Sequence, residues 1–168
     1  NRGPASSSPT QLTVTTRGLF FVASDASHGE ELWVTDGTSA GTRLVKDIVP
    51  GLASSFIKNI SHANGRIFFA AVDESSGQEL WKTDGTYDGT RMIADINSGS
   101  PGSDPSSFMH LDEKMYFIAR DADGIRKLWR YDFQDEISTG AMLSLCRSEG
   151  VLNFDVGKLF SEDNIFTL

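Results

Sequence analysis

The chain has 168 residues, 39% hydrophobic and 23% charged, a balance that suits a folded domain with a core and argues against disorder. Fifteen basic against 23 acidic residues leave a net charge of −8, and no uninterrupted basic run offsets it, so nucleic acid is not an expected partner. The single cysteine, Cys146, allows no internal disulfide, and no Cys/His spacing matches a zinc motif.

The first β-prone run is Gln11 to Thr15. Next comes Gly18 to Ser24, whose nearly continuous apolar core LFFVA predicts a strand covered on both faces. Asp25 to Gly29 reads as a polar turn, and Glu31 to Thr35 (ELWVT) as the third strand. Asp36-Gly37 opens a tight turn that requires positive φ, Gly41 closes it, and Arg43 to Ile48 supplies the fourth strand. Pro50 to Ser55, rich in Gly, Ser and Pro, reads as a connecting loop, as does its counterpart from Ser98 to Ser107.

This set returns. Trp33, Trp81 and Trp129 fall 48 residues apart, and their neighbours align without a gap: Leu19-Phe20-Phe21 with Ile67-Phe68-Phe69 and Met115-Tyr116-Phe117, and Leu12 with Ile60 and Phe108. Asp36-Gly37-Thr38 and Gly41-Thr42-Arg43 return as Asp84-Gly85-Thr86 and Gly89-Thr90-Arg91. A β-rich period of this length, with four strands in each unit, predicts tandem four-stranded antiparallel blades of a β-propeller. The expected units are approximately 8–55, 56–103 and 104–153, with a fourth starting over 154–168, all within a single all-β domain of about three and a half repeats. In the third unit Phe133 and Gln134 replace Gly and Thr. Two inserted residues bring Met142 and Leu143 onto Leu44 and Val45, and Ile165 and Phe166 onto Leu19 and Phe20. Such a set cannot close a ring, and the expectation is that it is an excerpt of a longer propeller.

The strings SHGEELWVTDGTSAGTRLVKDIVPG and SSGQELWKTDGTYDGTRMIADINSG resemble the ELWxxDGT repeats of large secreted or surface-attached proteins. The resemblance covers Gly18 to about Asn97 well and Met115 to Asp132 in part. It implies a propeller-like, extracellular, non-catalytic repeat.

Several residues invite chemistry. Trp33, Trp81 and Trp129 could stack on sugar rings as repeated ligand sites, or pack one blade on the next. The position after each Trp passes from Val34 to Lys82 to Arg130, which predicts that it shares with the preceding Leu a face tolerant of charge near one end. Arg126, Lys127 and Arg130 are expected on solvated strand edges. Asp121 and Asp123 share fragments of a calcium loop, but no bidentate Glu follows at the spacing that calcium requires, so turn formation is the simpler role. His62 and His110, one period apart, would lie side by side near a propeller axis, as a metal pair or as hydrogen-bonded strand residues. Asn59, in Asn59-Ile60-Ser61, is the one N-glycosylation sequon. No nucleophile elbow, Cys–His pair or phosphate loop is present, so no enzyme is expected.

Three functions fit this pattern. The first is an extracellular scaffold that binds a protein partner or copies of itself. The second is a multivalent lectin, and the third is the propeller portion of a larger hydrolase. No cofactor is required by any of them, and no apolar run is long enough for a membrane helix.

Overall fold

The structure, a computed structural model, describes residues 7–99, 101–133, 142–148 and 151–156, with side chains through 133. Sheet I is built from β1 (Thr10–Thr15), β2 (Gly18–Ala23), β3 (Glu31–Thr35) and β4 (Arg43–Lys46). Sheet II contains β5 (Lys58–Ala63), β6 (Arg66–Asp73), β7 (Gly77–Thr83) and β8 (Arg91–Ala94). Sheet III contains β9 (Ser106–Leu111), β10 (Lys114–Arg120), β11 (Arg126–Asp132), β12 (Met142–Ser148) and β13 (Val151–Val156). Each is an antiparallel meander in chain order, and no α-helix occurs among the described residues. The described sheets do not close into a barrel or ring.

The 48-residue period is kept to the residue where each sheet begins: β1, β5 and β9 start at Thr10, Lys58 and Ser106, and β2, β6 and β10 at Gly18, Arg66 and Lys114. It extends to backbone conformation. Gln11, Asn59 and Ser107 all have positive φ, at 51°, 56° and 56°, within a bulge that recurs in each first strand. The bulge bends the strand, and the left-handed residue turns the local backbone out of the ladder.

Alternation in the strands gives every sheet two different faces. One, the tryptophan face, carries the Leu19, Phe21 and Trp33 positions; the other, the leucine face, carries the Phe20, Val22, Leu32 and Val34 positions. The leucine face of sheet I packs on the tryptophan face of sheet II, joining Phe20, Val22, Leu32 and Val34 to Ile67, Phe69, Ala71 and Trp81. Sheet II then repeats the arrangement on sheet III, with Phe68 and Leu80 against Met115, Phe117 and Tyr131. Sheet II is therefore covered on both faces, which is why five consecutive residues of β6, Ile67 to Ala71, are buried. In β2, with one face covered, the same apolar run is buried only in part.

Two expectations change. Ser144, not Met142, stands opposite Trp129 where Leu44 stands opposite Trp33, so the third unit takes four extra residues before its fourth strand at that point rather than two. In that unit β12 pairs with β11 without the bulge seen beside Trp33 and Trp81. The chain then adds β13, a strand the repeat does not anticipate, to the edge of β12. Ile165 and Phe166 lie outside the described residues.

Candidate functional site

Each Asp-Gly-Thr turn is a closed hydrogen-bond network, the same in sheets I and II. Asp36 Oδ1 accepts from the Thr38 amide at 2.9 Å and the Thr38 hydroxyl at 2.7 Å, while the Gly41 amide donates to Thr38 Oγ1 at 2.9 Å. Thr42 donates to the Thr38 carbonyl at 2.7 Å, and the Gly37 amide donates to Thr35 Oγ1 at 3.0 Å. Asp84, Thr86, Gly89, Thr90, Gly85 and Thr83 reproduce every bond. Gly37 and Gly85 have φ of 94° and 90°, as the turn requires. Gly41 and Gly89 are fixed by space instead, since a Cβ there would meet Oδ1 of Asp36 or Asp84 at about 2 Å. The Thr38 and Thr86 hydroxyls and amides hold both carboxyls below the usual aspartate range. The motif is thus a self-contained turn.

That turn also receives the preceding sheet. Arg17 donates to the Asp84 carbonyl at 3.0 Å, Arg43 to the Gly85 carbonyl at 2.8 Å and Lys46 to the Thr90 carbonyl at 2.9 Å, and the Lys46 ammonium lies 4.7 Å from the Tyr87 ring centroid. Phe20 reaches the same place, 3.1 Å from where a Gly85 Cβ would be. In sheet III, Phe133 stands at the Gly85 position and meets Phe68 with ring centroids 5.6 Å apart.

The three tryptophans share a position but not an environment. Trp81 is 7% exposed inside the core between sheets I and II, and Trp129 is packed against the core between sheets II and III. Trp33, on the tryptophan face of sheet I, is only partly buried, and its indole N–H donates to the Ala23 carbonyl at 2.9 Å. A sugar ring could reach Trp33; it could not reach Trp81.

Arg126 is exposed, as expected, but the other two basic positions differ. Arg130 is 4% exposed and its guanidinium meets Asp132 at 2.9 Å, and Lys127 is ion-paired with Asp121 at 2.5 Å. Lys82 is also buried, donating to Tyr131 Oη at 2.8 Å. On the leucine face Lys82 finds its partner in the next sheet and Arg130 in its own strand, and neither is left in water. Burial, aided by repulsion from Arg91 and Arg66, lowers the Lys82 ammonium to about 8.

Asp121 spends its oxygens on Lys127 and on the amides of Asp123 and Ile125, and the Lys127 contact leads in holding its carboxyl below the usual range. Among the described residues no three His, Cys, Asp or Glu side chains come together as a metal site. His62 and His110 are both exposed on β5 and β9, and the His110 ring lies 5.6 Å from Phe133. Asn59 is exposed, and its side-chain amide donates to the Pro105 carbonyl at 3.0 Å, as Gln11 donates to the Ile57 carbonyl. The two bulge residues therefore tie each sheet to the entry of the next.

Reading for chemistry missed the glutamate of the ELW motif. Glu31 and Glu79 are fully buried. Glu31 accepts from the Ser55 hydroxyl at 2.7 Å and the Val49 amide at 3.2 Å; Glu79 accepts from the Ser103 hydroxyl, the Ser103 amide at 2.7 Å and the Ile96 amide at 3.2 Å. The same serines carry the chain across, since the Val72 amide donates to Ser55 O and the Arg120 amide to Ser103 O, each at 2.7 Å. Each glutamate is the buried joint between one sheet and the next. Burial outweighs these donors and raises both carboxyls, Glu79 to about 7. The legible signal was a Ser 24 residues after each motif Glu. Lys127 takes this place in the third unit and turns to Asp121 instead.

No family model, curated protein or solved structure matches the chain.

Proposed function

We propose that the chain is a non-catalytic, extracellular scaffold whose sheets are blades of a β-propeller. The observation that carries this reading is that both sheet–sheet contacts use the same positions, with Phe20 on Gly85 as Phe68 is on Phe133, and Leu32 covered as Leu80 is. Face-to-face packing in chain order, with β1 beside β5 and β5 beside β9, is how blades stand around a common axis. Among the described residues, Asp36, Asp84 and Asp121 are committed to turns, and Glu31 and Glu79 to joints between sheets. The ELWxxDGT resemblance supports a secreted or surface location, and Asn59 then carries a glycan if the source is a eukaryotic secreted protein.

One observation favours a lectin as the second reading: Trp33 is partly open on sheet I. A glycan array separates the two. The scaffold reading expects no saturable binding; binding lost in Trp33→Ala at an unchanged melting temperature would replace it with the lectin.

A further inference from the structure

Glu31 and Glu79, with the serines they meet, Ser55 and Ser103, are all 0% exposed. Among the described residues no lysine, arginine or histidine pairs with either carboxyl. A carboxylate shut away from water without a cation is costly, and the neutral acid avoids that cost. The charges around the joints do not relieve it. Asp47, on the loop that forms the first joint, repels a charge on Glu31, and it lies 3.9 Å from His28, which is bonded to Asp25. Asp73, beside Val72 at the end of β6, accepts from the Ser75 and Ser76 amides. Around the second joint Asp104 pairs with Arg126, Asp121 with Lys127, and Arg120 donates to the Gly124 carbonyl. Glu30 and Asp95, next to the joints in sequence, add only negative charge.

The first joint also shows where a proton sits. Ser55 Oγ lies 2.7 Å from Glu31 Oε2 and 3.1 Å from the Glu30 carbonyl oxygen. Both are acceptors when Glu31 is ionised, and a hydroxyl has one proton to donate. A proton on Glu31 removes the conflict: Glu31 donates to Ser55 Oγ, and Ser55 donates to the Glu30 carbonyl. Glu79 meets Ser103 Oγ through the same oxygen, Oε2. We infer that Glu31 and Glu79 are carboxylic acids in the closed structure, each sharing its own proton with the serine hydroxyl, and that they latch consecutive sheets together only while that proton is held. The serines pass the latch on, since the Val72 amide donates to Ser55 O and the Arg120 amide to Ser103 O. Ionisation leaves a buried carboxylate and the Glu30 carbonyl competing for one hydroxyl, so the connection loosens and with it the hold on the next sheet. The raised carboxyls, Glu79 at about 7, agree with this assignment. The coupling is therefore tight at acidic pH and released as pH rises, whatever the sheets bind.

The test reads the proton and the coupling separately on the full chain. Infrared spectroscopy at about pH 6, above the usual carboxyl range of ~4, detects the carbonyl stretch of acids that are still protonated. The expected band is present in the wild type, reduced in Glu31→Gln and in Glu79→Gln, and lost in the double variant. Glutamine keeps one acceptor and supplies an N–H where the acid has its O–H, so it holds the latch shut at any pH. Amide exchange followed by NMR, expressed as protection factors so that the intrinsic pH dependence cancels, reads the coupling. Arg120 protection should fall about tenfold for each pH unit above 7, following the protonated fraction of Glu79. Glu79→Gln should keep Arg120 protected while Val72, which depends on Glu31, still loses protection. Absence of the protonated-acid band from the wild type overturns the inference without any variant having to fold. A band that the glutamine variants leave unchanged puts the proton elsewhere and overturns it too. Protection that stays constant while the band titrates away overturns the latch.

Discussion

Truncating equivalent tryptophans in adjacent sheets isolates what sheet packing contributes. Trp81 is 7% exposed between two sheets, in a cluster that includes Phe20, Ile67 and Phe69. A buried Trp removes roughly 200 Å² from water, worth about 5 kcal/mol at ~25 cal/mol per Å² as an upper bound, and measured truncations of this kind cost about 3–5 kcal/mol. For a domain of this size that corresponds to a fall in melting temperature of roughly 6–20 °C. Trp33 has the same sequence context but a neighbour on only one side, so Trp33→Ala should cost about 1–2 kcal/mol. Urea denaturation followed by far-UV circular dichroism, at a dilution where the chain is monomeric, measures both. A Trp33→Ala cost equal to or above that of Trp81→Ala would refute the reasoning, since it would mean that the two faces are equally covered.

Glu79 makes stability fall as pH rises. Its native value of about 7 lies above the usual 4.5, so between those values the folded state keeps a proton that the unfolded state has released, and the stability contributed at low pH is expected to be lost as pH rises through 7. Glu79→Gln should flatten the slope of stability between pH 4.5 and 7; an unchanged slope in urea titrations would rule out Glu79 as its source. Lys82 acts at the other end: its native value of about 8 against the usual 10.5 means that stability rises as pH climbs from 8 to 10.5, and Lys82→Met should remove that rise in the same assay. Gly29→Ala should cost more than about 3 kcal/mol and lower the melting temperature sharply, because its Cβ would lie 2.1 Å from the Ala53 carbonyl oxygen, a backbone atom of the loop that joins sheets I and II. Gly51→Ala, where φ is 91° but nothing lies within 4 Å, isolates backbone strain alone and should cost about 1–2 kcal/mol.

The repeat itself determined much of this protein. Four short runs per unit, the Asp-Gly turn and the 48-residue spacing place twelve of the strands, because alternation, positive φ and turn chemistry act over a few residues and leave their mark in order along the chain. The sequence left each Trp with two readings, packing between blades or sugar stacking, and Trp81 takes the first. What the tertiary structure decided were interactions between units: Glu79 on Ser103, Lys82 on Tyr131, Phe20 on Gly85, and the bulge amide of Asn59 on Pro105. Composition marks Lys82 and Arg130 as charges to be left in water, and only the folded structure supplies the partners, Tyr131 of the next sheet for Lys82 and Asp132 of its own strand for Arg130. Likewise three tryptophans that read alike in sequence differ in exposure, because burial belongs to the neighbour that covers a face, and no local pattern records whether that neighbour is there.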